Sequence, residues 1–162
     1  MSRTGVGYDS HRFAEGRPLV LGGVVIPHAT SLTGHSDADA VAHALTDAIL
    51  GAAALGDIGA MFPDTEAAWK DADSMALLAT AVARCRDAGW QPVHCDIAVI
   101  AQAPRLAPHL PAMRQRIAEV LGVGAGDVSV KGKTNEGMGF VGRGEGIAVI
   151  AVATLDRLES RG

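Results

Sequence analysis

The chain has 162 residues and a formal charge of −4, from 14 basic and 18 acidic side chains. That balance marks no face for nucleic acid or anionic lipid, and a hydrophobic share of 48% excludes intrinsic disorder. The length suits one domain, residues 1–162, and with only 4% aromatics its core must be Ala, Val, Leu and Ile.

Residues 5–11 read as a strand whose end carries Asp9 and His11. Residues 19–26 are a second strand, broken at Gly22-Gly23 and closed by Pro27, and 30–36 are a loop. An Ala- and Leu-rich helix follows over 37–55, with Ser36 as N-cap and Gly56 as its stop. The loop 56–65 is longer and more irregular than a connector needs. A second helix over 73–87 turns Met75, Leu78, Ala79 and Val82 to one side and ends at Gly89. Residues 93–100 are strand-like, and Pro104, Pro108 and Pro111 mark a loop leading into a third helix. Leu110, Met113, Ile117, Val120 and Leu121 share one face of that helix, and Gly122 ends it. Residues 128–131 form a short strand, 132–146 a glycine-punctuated loop, and 147–155 a nearly continuous apolar strand, expected to be buried on both faces. The order β-β-α-α-β-α-β-β predicts an α+β domain, one sheet with helices packed on one face. Two isolated cysteines, Cys85 and Cys95, suit a reducing compartment. The apolar runs stay short of the ~18 residues of a membrane span, and the first residues lack a signal-peptide core, so a cytoplasmic chain is expected.

Asp9 and His11 stand two apart, so on a strand both side chains point to one face and offer two ligands to one metal. Asp39, His43 and Asp47 fall at i, i+4 and i+8, a polar stripe on an otherwise apolar helix. His43 is the natural third ligand, and Asp47 is placed to accept its other imidazole N–H. Two His, one Asp and an open position suit a catalytic Zn²⁺ site. Spacing alone leaves the plainer readings open: His43 as a core histidine, and Asp39 as a complement to the helix dipole. His35 and Ser36 precede the helix at the end where backbone N–H groups bind anions, although Ser36 is also read as its cap.

The segment 131–146 holds six glycines, with Lys131, Lys133, Thr134, Glu136 and Arg143 among them. Glycines admit phosphate oxygens to backbone N–H groups, Arg143 can bind them bidentately, and Glu136 suits a hard ion such as Mg²⁺. The segment runs into a strand, so it is no Walker loop, and a flexible hairpin with an Arg143–Glu145 ion pair is the plainer alternative. Residues 101–107 either read a base edge from a proline-stiffened turn or simply join strand to helix. His28, His94 and His109 have no partners at ligand spacing and read as structural.

In combination these motifs resemble the 2-C-methyl-D-erythritol 2,4-cyclodiphosphate synthase family from about residue 5 to 155, in order. The segments that carry it are Gly7-Tyr8-Asp9-Ser10-His11-Arg12-Phe13, Gly34-His35-Ser36-Asp37-Ala38-Asp39 with His43 and Asp47, Leu55-Gly56-Asp57-Ile58-Gly59, Phe62-Pro63-Asp64-Thr65, Ala101-Gln102-Ala103-Pro104, Asn135-Glu136 and Gly142-Arg143-Gly144-Glu145-Gly146. The resemblance implies a ferredoxin-like sheet and a homotrimer with sites between subunits. It implies a phosphorus–oxygen lyase of the non-mevalonate isoprenoid route. The 2-phosphate of a cytidine diphosphate methylerythritol ester attacks the β-phosphorus and CMP leaves. By the same resemblance Asp9, His11 and His43 hold Zn²⁺, and Glu136 binds Mg²⁺ or Mn²⁺ on the substrate diphosphate. His35 and Thr134 stabilise the transition state, and Ser36 places the 2-phosphate. Asp57, Ile58, Gly59, Phe62, Pro63, Asp64, Thr65 and Glu66 line the methylerythritol pocket and a flap. Ala101, Gln102, Ala103, Pro104, Arg105, Leu106 and Ala107, with Lys133, Thr134, Asn135 and Glu136, receive the nucleotide. Phe140 and Arg143 lie near the phosphates or the trimer axis. Lys133 departs from the small or hydroxylic residue expected there.

Two other functions use the same residues. A zinc phosphohydrolase of a nucleotide ester would activate water at the Asp-His-His site, and a non-catalytic ligand-binding trimer would keep only the fold. Intact Asp9, His11, His43 and Glu136 argue against the last.

Overall fold

The computed structural model describes residues 1–159, so the last three positions of the expected domain, 160–162, lie outside the described residues. The first strand is longer than expected: β1, Ser2–Ala14, runs on past the glycines. Then come β2, Leu19–Leu21, β3, Val24–Ile26, and β4, Ser31–Leu32. Helix α1, Ala40–Ala53, is followed by the single turn α2, Ile58–Met61, and by α3, Ser74–Asp87. Next are β5, Trp90–Ile100, α4, Leu110–Leu121, β6, Val128–Lys133, the short α5, Gly139–Gly142, and β7, Gly146–Arg157.

Five strands form one mixed sheet in the order β4-β1-β7-β5-β6. β7 is central and antiparallel to both neighbours, pairing with β1 from Ser2↔Asp156 to Arg12↔Gly146. β5 and β6 are parallel, joined by the α4 crossover. α1 lies flat on one sheet face, over β1 and β7, with α3 and α4 beside it, which is the α+β layering expected from the element order. The approach of α1 to β1 depends on missing side chains. A Cβ at Gly7 would sit 1.8 Å from the Ala44 carbonyl oxygen, and one at Gly5 2.0 Å from that of Ala48.

Four expectations change. Residues 19–26 are a hairpin of two strands, because Gly22 and Gly23 both take positive φ, 59° and 73°, and turn the chain back on itself. Ser36 is not the cap of α1: Asp39 is, its Oδ1 accepting from Ala42 N at 3.0 Å. Ala38, at φ 60°, breaks the backbone between Asp37 and the helix, so the first turn starts three residues later than expected. The loop 56–65 is partly helical, with Asp57 capping α2 through Ala60 N at 2.8 Å. Finally, β7 is buried on both faces only at its start. Ile150 and Val152 are 41% and 38% exposed, because none of the described residues covers this part of the sheet face away from the helices. Tyr8 and Val6 of β1 share that face and are 56% and 68% exposed.

Candidate metal centre

β1 turns Gly7, Asp9 and His11 toward α1, since alternate strand residues share a face. His43 lies in the first turn of α1, above that end of the strand. The three side chains converge. His11 Nε2 is 2.7 Å from Asp9 Oδ2 and 3.2 Å from His43 Nδ1, and His43 Nδ1 is 3.1 Å from Asp9 Oδ2. Among the described residues this is the one group of three His, Cys, Asp or Glu donors gathered closely enough to hold a metal ion.

His11 is fixed from behind. Its Nδ1 lies 2.6 Å from the Thr33 carbonyl, which can only accept, so Nδ1 carries the proton and Nε2 presents a lone pair. That lone pair faces a carboxylate oxygen, an arrangement stable only with a proton or a cation between them. Burial drives the Asp9 carboxyl upward, but the neighbouring His11 and His43 rings outweigh it and hold the group below the usual carboxylate range. Burial likewise lowers His11, and its contact with Asp9 more than reverses this, so the imidazole titrates above its ordinary value. Two imidazole nitrogens and one carboxylate oxygen suit Zn²⁺, whose tetrahedral ligands at about 2.0–2.1 Å stand roughly 3.3 Å from one another. The separations of 2.7, 3.1 and 3.2 Å fall just inside that spacing, so small side-chain rotations seat the ion.

Asp47 does not stand behind His43. Its Oδ1 accepts from Ile58 N at 2.8 Å and anchors the start of α2, because it lies a full turn further along the helix, level with that loop. His43 Nε2 is instead 2.7 Å from Ser74 Oγ and 2.9 Å from Ser36 Oγ. The α3 serine carries no motif of its own in the sequence. Asp39 also serves the fold, accepting from Gly22 N and Gly23 N as well as capping α1.

The triad opens into a cleft of about 400 Å³ lined by His35, Ser36, Ile58, Gly59, Phe62, Pro63, Asp64 and Thr65. Trp69 and Leu77 line it too, beyond the segments that sequence reasoning picked out. Phe62 and Trp69 meet edge-on at 5.0 Å, and Glu66 accepts from Trp69 Nε1 at 2.9 Å, stiffening the apolar wall. His35 Nε2 lies 3.3 Å from the Glu66 carbonyl.

The remaining candidates lie elsewhere on the chain. Ala101, Gln102, Pro104, Arg105, Leu106, Ala107, Lys133 and Thr134 line a second cleft of about 280 Å³. Ala103 sits within that turn but does not line the cleft, and Asn135 turns back to donate to the Met138 carbonyl at 2.8 Å. Glu136 is exposed, in the left-handed region at φ 54°, with its N–H donating to Thr134 Oγ1 at 3.2 Å. A single exposed carboxylate of this kind suits a hard divalent ion that takes its other ligands from elsewhere. Phe140 borders a third hollow with Tyr8, Ser10, His11 and Glu145. Arg143 has the ion-pair partner its sequence position suggested, Glu145, at 3.4 Å, and Glu145 also meets Arg12 at 3.2 Å. His28 packs against Phe13 with ring centroids 5.3 Å apart.

Residues 2–156 match the model of the YgbB family. A relative from Chromobacterium violaceum, named 2-C-methyl-D-erythritol 2,4-cyclodiphosphate synthase, is 62% identical over 96% of this chain and 98% of its own length. Among solved structures, the bifunctional IspDF of Campylobacter jejuni superposes with a TM-score of 0.94 at 45% identity over 98% of this chain. This chain spans only 43% of that bifunctional protein. The CDP complex of IspF from Plasmodium falciparum gives a TM-score of 0.84 at 32% identity, over 98% of this chain and 97% of that one.

Proposed function

The chain belongs to the YgbB family, the 2-C-methyl-D-erythritol 2,4-cyclodiphosphate synthases, and from that membership we propose that it converts 4-diphosphocytidyl-2-C-methyl-D-erythritol 2-phosphate to 2-C-methyl-D-erythritol 2,4-cyclodiphosphate and CMP. It is then a phosphorus–oxygen lyase of non-mevalonate isoprenoid precursor synthesis, working in the cytoplasm. The observation that carries the reading is the convergence of Asp9, His11 and His43, with both histidines lining the cleft walled by Phe62 and Trp69.

In this reaction a 2-phosphate oxygen bonds to the β-phosphorus as the bond from that phosphorus to the CMP oxygen breaks. The attacking phosphate is already ionised at neutral pH, so no strong base is required. The difficulty is bringing anions together, and positioned donors overcome it by orientation and charge stabilisation. Asp9, His11 and His43 would hold Zn²⁺, and Glu136 would hold Mg²⁺ or Mn²⁺; when bound, these ions would supply Lewis acidity and neutralise phosphate charge. Ser36 orients the 2-phosphate end, and His35 and Thr134 donate to oxygens that gain charge as phosphorus becomes pentacoordinate. Asp57, Ile58, Gly59 and the wall from Phe62 to Glu66 hold the methylerythritol carbons and exclude water. The turn 101–107 with Lys133, Asn135 and Glu136 receives the cytidine nucleotide, while Phe140 and Arg143 border the phosphates.

The metal cleft and the nucleotide cleft are separate hollows of one chain. We read them as halves completed between neighbours in a homotrimer of ferredoxin-like layers, packed through the uncovered sheet face. Exposed Val6, Tyr8, Ile150 and Val152 on that face support the reading. Phosphorus NMR of the purified chain with the cytidine substrate and Mg²⁺ tests it: CMP and a cyclic diphosphate are expected. A linear phosphate carrying solvent oxygen would instead make it a zinc phosphohydrolase. Glu136→Gln is expected to keep zinc and to slow CMP release, and a divalent-ion dependence matching wild type would remove Glu136 from this role.

A further inference from the structure

We propose that Ser74, backed by Asp37, is a positioning residue that holds His43 in the tautomer able to ligate a cation; the inference rests on the metal-centre reading above. Ser74 is fully buried at the start of α3. Its Oγ donates to Asp37 Oδ1 and lies 2.7 Å from His43 Nε2. Asp37 is itself held by backbone donors, Oδ1 accepting from Asp39 N and Oδ2 from Ser74 N, each at 3.1 Å.

Proton counting then decides the direction of the chain. A carboxylate only accepts, and a serine hydroxyl carries one proton. That proton goes to Asp37, so at the contact between Ser74 Oγ and His43 Nε2 the ring must donate. With the proton on Nε2, His43 Nδ1 presents a lone pair toward Asp9 Oδ2 and His11 Nε2. Ser36 Oγ, 2.9 Å from Nε2 and 3.1 Å from Ser74 Oγ, is a secondary acceptor whose own proton is available to Ser74 or to the cleft. The backbone around Asp37 is tied to the same region, Asp37 N donating to the Ala72 carbonyl at 3.1 Å and Asp71 N to that of His35, a cleft residue, at 2.7 Å. Ser74 therefore sits where the wall, α3 and the His43 ring meet.

Two measurements test this. Nitrogen NMR of the metal-free full-length chain, at a pH where the ring is neutral, is expected to show His43 protonated at Nε2 and bare at Nδ1. The opposite tautomer overturns the proposal without any variant. In chelator competition, Ser74→Ala is expected to weaken zinc binding about tenfold to a hundredfold, and Ser74→Thr to recover most of that loss. The absorption of the cobalt-substituted chain is expected to shift in Ser74→Ala and to return in Ser74→Thr. A folded Ser74→Ala that melts earlier but binds zinc like wild type overturns the positioning role and leaves a structural serine. A wild-type chain that binds no zinc overturns the metal centre, and the inference with it.

Discussion

His43 shows how much a single side chain is asked to do here, with one nitrogen in the triad and the other on two buried serines. His43→Ala is expected to lose zinc and turnover together, checked by metal analysis and by CMP release; full activity after stoichiometric zinc loss would contradict the assignment. Asp39 gives a prediction about pH. Burial pushes its carboxyl up to about 6, against three backbone N–H donors. Its ordinary value is 3.8, so the folded chain binds this proton more tightly than the unfolded one. The stability it contributes is complete below 3.8 and lost as pH rises through about 6. Asp39→Asn is expected to flatten that fall, read from urea unfolding of the metal-free chain at pH values either side of it. At this scale the triad was legible, because Asp9 and His11 share a strand face and His43 sits on a polar stripe. Ser74 was not, since its partner lies 31 residues away and nothing local marks it. Ser36 and Asp47 misled, because capping and helical spacing are common uses of those residue types.

The meeting of β1 with α1 is where element geometry controls the centre. Gly5 and Gly7 let the helix backbone come down onto the strand, which brings the first turn of α1 within reach of Asp9 and His11. Gly7→Ala is expected to destabilise the chain by about 3 kcal/mol or more and to lower zinc affinity, because the Ala44 carbonyl leaves no room for a methyl group. Thermal melts with and without zinc would measure both effects. Element types were readable from periodicity and from glycine stops. The start of α1 was not, since it depends on Ala38 adopting a left-handed conformation that alanine seldom takes. The Gly22-Gly23 turn was visible as a break, but its meaning as a hairpin depends on both φ values being positive.

For the whole molecule the uncovered sheet face is the feature least visible in the sequence. Burial of β7 on both faces was expected from its apolar run, and a single chain leaves Ile150 and Val152 partly bare. An apolar run reports only that a strand will be covered, not whether its own chain or another covers it. If neighbours supply that cover, Ile150→Asp is expected to yield monomers with the fold intact. Turnover would be lost, yet zinc would still bind, because all three ligands come from one chain. Sedimentation velocity beside a zinc assay would show this, and a trimer surviving the substitution would place the interface elsewhere.

Glu136 stands in the left-handed region, where a side chain costs about 1 kcal/mol more than glycine does. Evolution toward heat tolerance alone would therefore favour glycine at this position, raising the melting temperature while discarding the carboxylate. If Glu136 carries the proposed Mg²⁺ role, keeping glutamate there trades durability for function.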